Sequence, residues 1–172
     1  MSQIPKHISK LITDNQGINL DIGCGESKRK GCIGMDKLKL EGVDIVHDLE
    51  KYPYPLPDNC VKIVIASHIL EHINPADSGF IKFMDEIWRV MKPQGEFMIA
   101  VPYAGSPGYW QDPTHLNPIN ETTFTYFDPL SYNKFYRFYR PKPWKIEKLY
   151  WDISGTLEAL LSKRLIDKTY EK

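Results

Sequence analysis

An α/β fold, with a doubly wound, mostly parallel sheet between two layers of helices, is what this sequence predicts, and three observations carry the prediction. Short β-branched apolar runs recur at residues 18–22, 61–66 and 96–101, the composition of parallel strands covered on both faces. Between the last two lies a segment, 77–91, that repeats Phe80, Phe83, Met84, Ile87, Val90 and Met91 along one helical stripe with charges between them. Strands alternating with helices or crossovers indicate a parallel sheet. The first run also ends in Gly23-Cys24-Gly25, a tight turn where a ligand can approach backbone without meeting a Cβ.

The elements follow in order. Ile4, Ile8, Leu11 and Ile12 have helical spacing, and Pro5 suits a first turn. Residues 33–35, closed by Asp36, read as a second strand, and 43–46, closed by His47 and Asp48, as a third. The run 61–66 is the clearest strand, and Pro93 and Gly95 stop the helix that follows it. Residues 103–120 show no periodicity and are rich in Gly, Pro, Asn and aromatics; a long loop of this kind in a compact domain is usually functional. Residues 128–139 suggest a helix capped by Asp128 with Pro129 in its first turn. Residues 144–153 read as a late strand and 156–166 as a closing helix, with a polar tail at 167–172. One domain is expected over 1–172, with 1–17 as a short cap and 103–127 as an acceptor-side loop.

Bulk properties exclude several classes. Lys plus Arg and Asp plus Glu number 22 each, which argues against a large phosphate-reading surface for nucleic acid. The three cysteines, Cys24, Cys32 and Cys60, form no Cys-x-x-Cys pair, so reduced thiols in a cytoplasmic protein are expected. The N-terminus lacks the apolar core of a signal peptide, and no run approaches the roughly 20 apolar residues of a membrane span.

Chemistry concentrates around the glycine turn. A dinucleotide fingerprint requires a third glycine where this chain has Lys28, which argues against a nicotinamide or flavin cofactor. Asp21 precedes the turn inside the strand, placed to orient the loop or meet a cationic ligand. Asp36 follows the second strand, placed to accept from ribose hydroxyls, and Asp48 ends the third, with Leu49 positioned to pack on a ring. All three acids fall at strand carboxyl ends, where ligands sit in open α/β sheets.

In order and spacing, Leu20 to Gly25, Gly34-Met35-Asp36, His47-Asp48-Leu49, Ser67 to His72 and Met91 to Glu96 resemble class I S-adenosylmethionine-dependent methyltransferases, with the small type 11 group as the nearest likeness. The resemblance covers roughly residues 18–102. It implies a Rossmann-like three-layer sheet that closes with an antiparallel C-terminal strand. It also implies S-adenosylmethionine as cofactor, held at Asp21, Gly23, Cys24 and Gly25, with Asp36 and Lys37 at the ribose and Asp48 and Leu49 at the adenine. Ser67, His68 and Leu70 would then line the methyl side. Two features depart from the family: about 17 residues precede the first strand, and one late strand is read where the family has two.

His68-Ile69-Leu70-Glu71-His72 matches the inverted zinc-protease pattern. It directly follows a strand and is cut off by Asn74-Pro75, so no long helix carries it and no metal is expected. On the acceptor side, Tyr103, Tyr109 and Trp110 are candidate pocket walls, and Asp112 and His115 candidate proton acceptors. The aromatic-rich stretch 122–139 reads as packing. The expectation is an enzyme transferring methyl from S-adenosylmethionine to an oxygen or nitrogen of a small-molecule or sugar-type acceptor, in a homodimer or alone. Its rival is a non-catalytic cofactor-binding subunit that completes a partner.

Overall fold

The computed structural model describes residues 4–14 and 16–165. Helix α1, Lys6–Asp14, precedes β1, Ile18–Ile22, then β2, Ile33–Asp36, and the two-residue β3, Ile45–Val46. Strand β4, Val61–Ser67, leads through short 3-10 turns at Leu70–His72 and Ala76–Ser78 into α2, Gly79–Val90, and β5, Met91–Pro102. Three short helices follow: α3, Pro107–Trp110, α4, Glu121–Thr125, and α5, Tyr136–Tyr139. The hairpin β6, Trp144–Trp151, and β7, Thr156–Lys163, ends the described chain.

These strands form one sheet in the order β3-β2-β1-β4-β5-β7-β6. The first five pair in parallel, whereas β7 runs antiparallel between β5 and β6. The order reverses between β1 and β4, which opens a crevice at their carboxyl ends. One face carries the core: Leu20, Val64, Phe97, Val101, Leu157 and Leu161 are fully buried, and Trp144 lies 5.7 Å from Phe97. Helix α2 turns Phe83, Met84, Ile87 and Val90 inward, as its stripe predicted. The other face is partly open, with Met98 and Tyr150 about half exposed. Among the described residues, the connections β1 to β2 and β2 to β3 contain turns and no helix.

A second network ties the 54–58 connection to α2. Buried Glu86 accepts from Tyr54 N at 2.6 Å and from Nε and Nη2 of Arg89, whose Nη1 reaches Leu56 O and Asp58.

Two elements differ from the sequence reading. Residues 156–166 were expected to be helical, since Leu, Ala, Glu and Lys favour helices. Instead 156–163 form a strand, because Leu157, Ala159, Leu161 and Lys163 are buried with period two and every residue from Thr156 to Ser162 pairs with β5. Sheet pairing overrides local propensity here, and the chain supplies both late strands itself. Ile166 and the tail 167–172 lie outside the described residues. The helix expected over 128–139 shrinks to α5. Asp128 does not cap it: Oδ1 accepts from Leu130 N at 2.9 Å and from Arg164, and Oδ2 from Ile146 N. Lys134, at φ 55°, then interrupts the helical path.

Lys163 is nearly enclosed. Its Nζ donates to Asn59 Oδ1 at 2.6 Å and Met91 O at 2.8 Å and lies 3.8 Å from the centre of the Trp88 ring. Burial lowers its pKa from 10.5 to about 8, with the Lys142 and Arg89 charges adding to the effect. Below pH 8 both folded and unfolded chains hold this proton; between about 8 and 10.5 only the unfolded chain does, so this group makes stability rise with pH across that window. Denaturant unfolding should show the rise in the parent and lose it in Lys163→Met, a differential of about 2–3 kcal/mol.

Candidate functional site

The glycine turn is shaped by what packs on it. Gly23 has φ +62°, and a Cβ there would lie 1.9 Å from Ile69 Cδ1. Glycine is therefore required by both conformation and the close approach of the turn after β4. Gly25, at φ +52°, faces open space and donates its N–H to Asp36 Oδ2 at 3.0 Å. Asp21, 2% exposed, accepts from Arg29 N at 2.7 Å, so its carboxylate orients the loop. Cys24 is buried, and burial together with the Asp21 and Asp36 charges raises its thiol pKa.

Gly23, Asp36, Lys37, Asp48 and Leu49 line one cleft at the carboxyl ends of β1 to β3, and Ile69, His72 and Ile73 close its other side. The cleft offers carboxylates at one rim and apolar walls within. Asp36 Oδ1 also accepts from Leu38 N and Asp48 Oδ1 from Glu50 N, which fixes both side chains in place. The residues from Ser67 to Leu70 do not act as one wall. Ser67 borders a separate hollow on the open sheet face with Ile65, Met98 and Leu160. Leu70 is wholly buried in the core. His68, at φ 56°, is about half exposed with Nδ1 3.3 Å from Glu71 Oε1.

The loop after β5 is stitched to this turn. Leu116 and Asn117 donate their backbone N–H groups to Glu71 O at 2.7 and 3.0 Å. The buried Asn117 amide donates to Leu70 O at 2.9 Å and also to Ile73 O. His115 is thereby set beside His72, ring centres 4.8 Å apart. Its Nδ1 lies 2.6 Å from Tyr109 O and its Nε2 3.8 Å from Asp112 Oδ2. A ring that donates Nδ1–H to a carbonyl presents a lone pair at Nε2. Asp112 accepts from the Thr114 hydroxyl at 2.7 Å and its N–H at 2.8 Å, and these bonds hold its carboxyl below the usual range. Tyr109 is buried behind His115, Trp110 is 73% exposed and donates to Ala104 O, and Tyr103 stacks on Trp151.

The sequence reading passed over Glu71 and Ile73 as site residues, included Ile69 only within the 67–70 segment and set His72 aside with the zinc pattern. Glu71 is wholly buried, and burial raises its carboxyl pKa to about 7. The signal available was an acid preceded by Ile69-Leu70 in a turn that directly follows a buried strand.

Residues 30–99 match the family model described as methyltransferase domain. A Mycolicibacterium smegmatis protein named as an S-adenosylmethionine-dependent methyltransferase is 30% identical over 119 residues, which are 59% of this chain and 44% of that protein. The chain thus spans under half the length of that curated relative. A crystal structure of an S-adenosylmethionine-dependent methyltransferase from Archaeoglobus fulgidus superposes with TM-score 0.61 at 19% identity, covering 91% of this chain and 93% of the other. The 16S rRNA (adenine(1408)-N(1))-methyltransferase of Catenulisporales acidiphilia, as a W203A mutant, superposes with TM-score 0.61 at 13% identity, covering 98% and 94%. The resemblance read from the sequence is borne out over the matched span, and the Rossmann-like fold of class I methyltransferases over the sheet.

Two outcomes follow from the stitched turn. Replacing Asn117 with Ala leaves Ile73 O without its donor and Leu70 O with Ile73 N alone, and should lower unfolding free energy by about 1–3 kcal/mol in urea. For Glu71, the folded chain retains a proton between pH 4.5 and about 7 that the unfolded chain has lost. Its contribution to stability is therefore present below 4.5 and lost as pH rises to 7. With a chelator present, Glu71→Gln should gain on the parent by about 3 kcal/mol across that window.

Proposed function

We propose that this chain is an enzyme that binds S-adenosylmethionine in the cleft beside Gly23 and transfers its methyl group to an oxygen or nitrogen nucleophile. The observation that carries the reading is the cleft itself: a glycine turn, Asp36 and Asp48 at successive strand ends, and Leu49, Ile69 and Ile73 as apolar walls. This donor set fits a nucleoside. Carboxylates suit ribose hydroxyls and an exocyclic amine, and the apolar walls suit a ring. The matched family span and the named relative support the same reading.

When bound, S-adenosylmethionine supplies a methyl group that an acceptor lone pair attacks in line, the carbon–sulfur electron pair leaving with sulfur to give S-adenosylhomocysteine. The chain's own task is to position and to manage a proton. Asp36, fixed by Gly25 N and Leu38 N, holds the ribose; the 103–115 loop orients the acceptor, with Tyr103 and Trp110 at its rim. Positioning of this kind can supply roughly 7–11 kcal/mol of a barrier. Where the nucleophile carries a proton, His115 Nε2 accepts it, with Asp112 3.8 Å away to steady the cation. A small-molecule or sugar-type acceptor is consistent with the chain's balanced charge.

In the described residues no helix is long and apolar enough to cross a membrane. The rival was a non-catalytic cofactor-binding subunit that completes a partner, and one of the two features that favoured it, the missing late strand, is supplied by β7.

Calorimetric titration with S-adenosylhomocysteine should give saturable one-to-one binding, and NADH none. Asp36→Ala should weaken that binding at least tenfold, about 1.4 kcal/mol; unchanged affinity would remove the ribose assignment.

A further inference from the structure

Glu71 stands apart from every other acid in the described chain. Its side chain has no exposed surface, yet neither carboxylate oxygen meets a hydrogen-bond partner among the described residues. His68 Nδ1 comes within 3.3 Å of Oε1 but without hydrogen-bond geometry. Buried carboxylates are normally paired, because leaving water uncompensated is costly.

The neighbours of Glu71 sharpen the problem. One ligand atom each from Glu71, His72 and His115 lies within 4.8 Å of the other two. Nδ1 of His115 lies 2.6 Å from Tyr109 O, and Nδ1 of His72 lies 3.1 Å from the Thr114 hydroxyl, whose own proton goes to Asp112, and 3.3 Å from Thr114 O. A ring that donates Nδ1–H in this way keeps its Nε2 lone pair for a cation. Two imidazole lone pairs and an unpartnered carboxylate share one place, and a cation is what such a place lacks. Metal-ligating histidines are characteristically fixed in this way, the far N–H bound to a backbone carbonyl.

We propose that Glu71, His72 and His115 form a binding site for a divalent first-row transition-metal ion, of the zinc, iron(II) or manganese(II) class. Two imidazoles and one carboxylate suit these ions and leave coordination positions open. Bonds of about 2.0–2.2 Å need ligand atoms about 3.4 Å apart, so the side chains close by about 1 Å on binding. The expectation of no metal rested on the absence of a long helix beneath His68 and His72. The fold supplies the third donor differently, from the loop after β5, and His68 is left outside the set. His72 also borders the cofactor cleft, so an ion here lies beside the proposed reaction site. An ion would take the lone pair through which His115 would act as base, and its charge would then favour release of an acceptor hydroxyl's proton to solvent.

The test uses the full chain stripped with chelator and titrated with Co2+, followed by visible absorption, and with Zn2+ by calorimetry. One ion per chain is expected, with at least about tenfold weaker uptake in Glu71→Gln and in His115→Gln. No saturable uptake by the parent, or equal uptake by folded variants, would overturn the site. Should Glu71→Gln not fold, as circular dichroism would report, His72→Gln decides in the same way. S-adenosylhomocysteine titrated into the stripped protein separates the two proposals. Nucleoside binding without ion uptake removes the metal site alone; ion uptake without nucleoside binding removes the methyl-transfer reading alone.

Discussion

A hydrogen-bonded clamp joins the turn after β4 to the loop after β5: the N–H groups of Leu116 and Asn117 meet Glu71 O, and the Asn117 amide caps Leu70 O and Ile73 O. Neither segment has enough regular structure to fix itself. The turn is a single 3-10 winding, and the loop carries only the four-residue α3. Locked together, they give Ile69 a fixed seat over Gly23 on one side and bring His115 against His72 on the other. The cleft and the acceptor side are thus two faces of one rigid unit. Loop residues gain the precision that catalytic groups need only when such bonds hold them.

The parallel half of the sheet was legible because its strands announce themselves. Residues 61–66 are apolar except for Lys62, residues 18–22 place Ile18, Leu20 and Ile22 on one face, and the acids at positions 21, 36 and 48 mark strand ends by chemistry rather than by pattern. Strand β7 was hidden because Leu157-Glu158-Ala159-Leu160-Leu161 satisfies helical spacing as well as alternation; only the vacant edge of β5 decides between them. The glycine turn and Asp36 were readable for the same reason as the strands. Glu71 was not, since its significance lies in a neighbour 44 residues away in sequence, His115, and no local pattern carries that.

Charge placement divides the molecule into two regimes. Around α2, Glu86, Arg89 and Asp58 neutralise one another over distances of 2.5–2.9 Å, and the fold uses them as struts. Around the 70–73 turn, Glu71 is buried without such a counter-charge, and its carboxyl rises towards neutrality. Glu86 and Asp58 are satisfied within the chain, whereas Glu71 has no hydrogen-bond partner among the described residues.

The position of β7 bears on how the chain is made. Strand β5 leaves the ribosome with one neighbour, β4, already present, while its other edge waits for a partner separated from it by residues 103–155. Until that partner arrives, a central strand is exposed as an edge, with Phe97, Ile99 and Val101 facing an incomplete core. Open edges of this kind recruit strands from other chains, and long-range pairings form slowly. The nascent protein therefore passes through a vulnerable interval whose length is set by residues 103–155. Any lengthening of the segment between β5 and β7 would prolong exposure of the edge, so loop length and the safety of synthesis are set against each other.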